Sequence, residues 1–288
     1  MGARKKRLEA TYMNVATYDD IFSQLKEIAL NVYRWENVPE SVDIRFLELC
    51  LFNRGYAVYF DDEILGNLAL NCAIGGALNV YNIPINRTAY ASNGYKRFLT
   101  ANDSVIIFNN YMHRATYPTI DMYAKRLTQI KRTIDVNITQ QKVPKIIQCD
   151  RQRQLTFQNM YEQVDNNEPV LILDETVDLK SVGVLDNTAP YVADKLNLLY
   201  KDLWNQALTF LGVENSNADK KERLVSDEVW SNYGNVEVQR NVMLNSRKRA
   251  VKEINDMFGT EIEVSFNSDL ITMLNSPLLS LGGGVNNE

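Results

Sequence analysis

Histidine, cysteine and phosphate-cradling glycine motifs are scarce in this chain, and each shortage closes off a class of chemistry. Of 288 residues, one is histidine, His113. It has no cysteine or carboxylate at metal-ligand spacing and no marked nucleophile, so it reads as a loop histidine rather than a metal ligand or catalytic base. The cysteines Cys50, Cys72 and Cys149 lie far apart with no CxxC pair. That argues against a disulfide framework and fits free thiols in a reducing compartment. No GxxxxGK[ST] phosphate cradle occurs, and the glycine pair in CAIGGALN has no following lysine. No window of about eighteen continuous apolar residues exists, so no membrane span is expected. The start, MGARKKRLEA, lacks the apolar segment of a signal peptide. Lys6 stands where myristoylation needs Ser or Thr. Positive charge is not in excess either: 31 Lys and Arg face 36 Asp and Glu, for a net charge of −5. Contact with a polyanion must therefore come from local clusters.

What remains is the composition of a folded chain, 45% hydrophobic and 23% charged, with room for one large or two to three small domains and no repeat of fixed period. Residues 1–17 read as a basic, flexible tail. Arg4, Lys5, Lys6 and Arg7 are its dense cluster, and a solubilising disordered end is the plain reading. A helix is predicted over 18–35, because Ile21, Leu25, Ile28, Val32 and Trp35 step by 4, 3, 4, 3. A second is predicted over 41–53, closed by Gly55. Between 56 and 109 the runs AVYF, ILGNLALNCA, LNVYNI and SVIIFNN predict a small antiparallel sheet or barrel. YPTIDMYAKRLTQIKRTIDVN restores helical spacing, with Ile120, Tyr123, Leu127, Ile130 and Ile134 on one face and Lys125, Arg126, Lys131 and Arg132 opposite.

Residues 141–187 read as a small α/β insert in which KIIQCD and VLILDE are strands and LTFQNMYEQV a helix. APYVADKLNLLYKDLWNQALTFLG is a strong helix, striped by Val192, Leu196, Leu199, Leu203, Ala207 and Phe210 and ended by Gly212. NADKKERLVSDE, in which seven of twelve residues are charged, follows. A last helix is predicted over 236–258, then the strand EIEVSF. Its basic SRKRAVK run reads as a solvated face or a subunit contact. VLILDE ends in Asp174-Glu175 and imitates the acidic end of a nucleotide-hydrolysing strand. Without the cradle it reads as a strand meeting solvent, so no catalytic residue is assigned. A nucleotide-dependent DNA-processing enzyme built on Asp174 and Glu175, or a monomeric nucleic-acid adaptor, stands as the alternative reading.

The blocks YRWENVP, PTIDMYA and APYV–DKLN–W–TFLG–KKER–V–DEV run in one order along nearly the whole chain. They resemble the portal proteins, also called upper collar or head–tail connector proteins, of small short-tailed, protein-primed DNA phages. The resemblance implies a mainly α fold with a small β domain, an α+β portal fold. A wing of helices and an SH3-like β domain would take residues 18–115 with 235–267. Stem helices would span 116–140 and 188–212, a small α/β clip 141–187, a channel loop 213–234, and a C-terminal tail 268–288. It further implies a ring of twelve copies at one capsid vertex of the virion, assembled in the host cytoplasm, through which double-stranded DNA is packaged and ejected. Capsid protein, scaffold, lower collar or tail protein, packaging ATPase and packaging RNA are the implied partners. No catalytic activity, cofactor or metal is implied.

By the same resemblance Lys195, Lys220 and Lys221 match channel lysines, while Asp186 stands where a further lysine is expected. Arg4, Lys5, Lys6 and Arg7 match a segment that binds packaging RNA and motor. Sparse lysines suit a passage. Each phosphate neutralised steepens the salt dependence of binding by about 0.9 log units, so few contacts touch DNA without gripping it. They read backbone and not base, which suits any sequence. Glu222, Asp219, Asp227 and Glu228 dilute the field around Lys220 and Lys221, and screening over about 8 Å confines what is left. Lys195 has an alternative reading, a surface charge paired with a neighbouring subunit.

Overall fold

The computed structural model describes residues 3–142, 145–148, 183–186, 190–213 and 226–269. Their order is α1 (Ala3–Asn31), β1 (Tyr33–Glu36), α2 (Ile44–Arg54), β2 (Tyr56–Asp62), β3 (Gly66–Ile74), β4 (Asn86–Tyr90), β5 (Lys96–Thr100) and β6 (Ser104–Phe108). Then come α3 (Tyr117–Lys142), β7 (Lys145–Gln148), β8 (Gly183–Asp186), α4 (Ala193–Phe210), α5 (Ser226–Phe258) and β9 (Glu263–Phe266). The chain divides into two compact units, one of residues 1–17 and 126–202, the other of residues 18–125 and 203–288.

The second unit holds a five-stranded antiparallel sheet in the order β5-β4-β3-β2-β6. Its inner cluster is Val58, Phe60, Cys72, Ala89 and Leu99. Strand β2 is buried from Ala57 to Phe60 and β6 along its whole length. Such unbroken apolar runs mark strands covered on both faces. Tyr59, on the other face of β2, packs its ring 5.3 Å from Phe258 of α5. The expected stripe is buried at Ile21, Leu25 and Ile28 of α1, and at Val32 just past its end. Helix α2 ends at Gly55 in the left-handed conformation, as its sequence predicts; it starts after Asp43, later than the predicted 41, because the Asp43 side chain accepts from the Phe46 N–H and caps it there.

The structure departs from the sequence expectations at several places. Helix α1 begins at Ala3, so residues 3–17 are helical rather than an irregular tail. They contain no Gly or Pro and include Ala, Lys, Arg, Leu and Glu, which are strong helix formers whatever their charge. The same helix stops at Asn31, and Tyr33–Glu36 pairs instead with Glu263–Phe266, a long-range partnership that local periodicity does not reveal. LNVYNI is a turn and not a strand: the Asn79 carboxamide oxygen accepts from the N–H groups of Tyr81 and Ile83, each at 2.9 Å. The sheet takes Asn86–Tyr90 and Lys96–Thr100 as strands in its place. Finally, α5 begins at Ser226, so residues 226–234 of the expected loop are helical.

In the first unit β7 pairs with β8, a strand the sequence did not announce. VLILDE and LTFQNMYEQV lie outside the described residues. Asn137, buried on α3, ties down the start of α4: its Nδ2 donates to the Pro190 carbonyl at 2.9 Å and its Oδ1 accepts from Val192 N–H at 3.1 Å.

The β2–β3 turn is gathered on one carboxylate. Asp62 accepts from Tyr95 OH at 2.6 Å, from Ile64 and Leu65 N–H at 3.1 Å each, and from Arg97 at 2.8 Å. These donors, Tyr95 first, hold its carboxyl well below the usual carboxylate range. A depressed folded pKa contributes stability that is present above the ordinary value of about 4 and is lost as pH falls below it. Asp62→Asn is therefore expected to flatten the fall in unfolding free energy between about pH 4 and pH 2, measured by urea titration at each pH. An unchanged acid limb would assign that loss to other carboxylates.

Candidate nucleic-acid interface

Lys195 lies exposed in the first turn of α4. The helix spans 18 residues, Ala193–Phe210, and is shorter than the predicted 188–212 because Pro190, Tyr191 and Val192 are not helical. At 1.5 Å per residue it is roughly 27 Å long, which a duplex with one charge per ~1.7 Å would match with about sixteen phosphates. Leu198 and Leu199, three and four residues on from Lys195, are also exposed.

Of the four cations expected on α3, three are already engaged, and Arg126 is exposed. Lys125 pairs with Asp121 at 2.7 Å. Arg132 pairs with Asp135 at 2.7 Å and donates to Asn14 at 2.7 Å. Lys131 stands 5.5 Å over the Tyr200 ring. These three charges already have partners within the protein, which leaves Lys195 and Arg126 as exposed candidates for an outside phosphate. Arg4, Lys5, Lys6 and Arg7 fall in the first turns of α1. Lys220, Lys221, Asp219 and Glu222 lie outside the described residues, as do Asp174 and Glu175. Asp227 and Glu228 fall in the first turn of α5. Asp186 sits in β8, in register with Lys145 of β7.

His113 has positive φ and stacks on Phe108 with ring centroids 3.5 Å apart. Burial, then the nearby Arg249 charge, lowers its pKa. It has no ligand-like partners: among the described residues no group of His, Cys, Asp and Glu could hold a metal ion. No described helix is long and apolar enough to cross a membrane.

Sequence reasoning missed the most heavily bonded charge among the described residues. Arg247, inside the basic SRKRAVK run, is not on a solvated face but 2% exposed. Its Nε and Nη2 donate to the two oxygens of Glu48 at 2.9 and 2.6 Å, a bidentate pair joining α5 to α2. Nη1 and Nη2 also donate to Asn109 O and Oδ1 at 3.2 and 3.1 Å, and Nη1 to Met243 O at 3.2 Å. Trp35 Nε1 donates to Glu48 Oε1 at 2.9 Å. Burial pulls the guanidinium pKa down, but the Glu48 charge and hydrogen bonds and Tyr33 outweigh it and hold the pKa above its ordinary value. The Tyr33 ring lies 4.1 Å from the guanidinium, and burial pushes its hydroxyl up to about 12. The signal was present: Met243, Arg247, Ala250 and Ile254 step by 4, 3, 4 and are all buried, which puts Arg247 on the inward stripe.

Residues 4–271 match the family described as Phage Connector (GP10). The chain belongs to the phage connector family. A portal protein role in the phage particle follows from that membership. Among solved structures, the connector is similar to a chain of the assembly described as "Portal and tail of native bacteriophage P68", at 14% identity and TM-score 0.51, over 98% of each chain. At that identity the likeness shows a shared fold, the portal fold of long helices with small antiparallel sheets. A further similar chain is an HK97-family phage portal protein from Corynebacterium diphtheriae, at 12% identity and TM-score 0.42, over 94% of the connector and 96% of that chain.

Proposed function

We propose that the connector forms a ring of copies, twelve by family resemblance, at one capsid vertex, and that double-stranded DNA passes through it during packaging and ejection. The observation that carries this reading is the family match across residues 4–271. Helices α3 and α4 are assigned to the stem, residues 141–187 to the clip, and the sheet with α1, α2 and α5 to the wing. Lys195, exposed on α4, is the channel-facing charge by family resemblance, and Lys220 and Lys221 add a second cationic level. Arg4, Lys5, Lys6 and Arg7, gathered on the first turns of α1, are the contact for the packaging ATPase and a packaging RNA. Capsid protein, scaffold and lower collar bind the outer and narrow ends. The protein is structural, holds no cofactor, and assembles in the host cytoplasm before becoming part of the virion. An exposed lysine repeated once per subunit gives a ring of weak backbone contacts, and DNA slides past such contacts instead of being held by them.

End-on electron micrographs of purified protein are expected to show rings with a central hole. Lys195→Ala should leave those rings intact and alter the rate at which packaged DNA is lost. Compact particles without a hole would overturn the ring, and wild-type retention in the variant would remove Lys195 from the channel.

A further inference from the structure

Two small surface patches at opposite ends of strand β2 combine exposed apolar side chains with unpaired charge of opposite sign. The first is the β2–β3 turn. Ile64 is 91% exposed and Leu65 51%, directly after the exposed acids Asp61 and Glu63, which have no ion-pair partner among the described residues. The second is the loop that follows β6. Tyr111 is 66% exposed and Met112 71%, beside the exposed Arg114. Arg249 of α5 stands 5.7 Å over the Tyr111 ring. Neither arginine has an ion-pair partner among the described residues. Tyr, Met and Arg are the side chains enriched at interface cores.

Both patches are rigid. The Asp62 carboxylate fixes Ile64 and Leu65 through their N–H groups. In the second loop the Asn110 side-chain oxygen accepts from Met112 and Arg114 N–H, each at 3.1 Å. Both Asn109 and Asn110 donate to the Arg114 carbonyl, at 3.0 and 2.9 Å. Groups held in place before contact lose little entropy on binding.

The sheet register sets their separation. Asp62 pairs with Gly66 at one end of β2, and Tyr56 pairs with Phe108 at the other. Seven residues at about 3.3 Å each put the patches on the order of 20 Å apart, at opposite ends of one strand. In the ring of copies proposed above the contact is head-to-tail: it matches apolar to apolar and acid to base, and head-to-tail contacts close into rings when the rotation allows.

We infer that the Tyr111–Met112 loop with Arg114 and Arg249 docks on the Asp61–Glu63–Ile64–Leu65 turn of the next copy of this chain. This inference rests on the ring of copies proposed above. Opposed charges fix the register and reject the inverted partner, and high salt weakens the contact.

The test uses two full-length variants, Arg114→Glu with Arg249→Glu, and Asp61→Lys with Glu63→Lys. Each alone presents like charge at every junction, so the concentration needed for half-assembly should rise at least about tenfold. Mixed one to one, each reversed patch meets a complementary patch on the other variant, and native mass spectrometry should show rings of alternating composition. Restoration on mixing also shows that both variants fold. The inference is overturned if either variant alone assembles at the wild-type concentration, including a case in which only binding to a polyanion is lost. It is overturned equally if mixing restores nothing. Wild-type protein that forms no rings defeats the proposed function itself, whereas rings that ignore these charges defeat only this contact.

Discussion

Replacing Arg247 with methionine should destabilise the protein by about 3–5 kcal/mol, because Glu48 is then left buried and charged without its partner. Both side chains are 3% exposed, so water cannot take over. The loss also strands Asn109, whose main-chain and side-chain oxygens each accept from the guanidinium. Glu48→Leu alone should cost a similar amount, since a buried cation remains. Combined with Arg247→Met it should recover part of the loss, because an apolar pair of similar volume needs no desolvation. Recovery stays incomplete, as Trp35 Nε1 and the Asn109 oxygens still lack their partners. Denaturant unfolding at fixed protein concentration, for all four proteins, gives the coupling energy directly. Additive costs would mean that the pair does not act as a unit.

Gly55→Ala should cost about 2–5 kcal/mol, from two sources that add. Its φ of +87° carries a penalty of roughly 1–2 kcal/mol for a residue with a Cβ. That Cβ would also lie 2.6 Å from Arg114 C, 2.7 Å from Ala115 N and 2.8 Å from His113 O. All three are backbone atoms, so the loop itself must shift, and overpacking of this kind costs roughly a further 1–3 kcal/mol. Gly94 supplies the control. It has φ +91°, but no atom lies within 4 Å of the place a Cβ would take there, so Gly94→Ala should carry only the dihedral penalty. The midpoint of urea unfolding checks both. Equal shifts for the two variants would show that the close approach at Gly55 contributes nothing.

The sequence was most legible where one element carries its own signal. The stripes of α1 and α3 and the Gly55 stop of α2 follow from side-chain spacing and backbone preference. It misled where charge was read as disorder, as at residues 3–17, since helix propensity does not depend on solvent exposure. It misled at LNVYNI too, because an Asn79 side chain that folds the backbone on itself looks the same in sequence as a polar residue on a strand. Of the candidate interface, Lys195 was readable through family resemblance and is exposed on α4. That Lys125, Lys131 and Arg132 are engaged elsewhere was not readable, because their partners Asp121, Tyr200 and Asp135 are known only once the helices are formed.

By itself the sequence determined the class of element along most of the described chain and the family to which it belongs, because periodicity, caps and ordered motif blocks are local properties. Only the tertiary structure decided which charges are buried. Arg247 and Glu48 are 199 positions apart, and whether an arginine meets water or a carboxylate depends on what chain folding brings opposite it. The same holds for Tyr33–Glu36, whose strand character comes from Glu263–Phe266: a backbone ladder needs a partner, and no stretch of sequence contains its own.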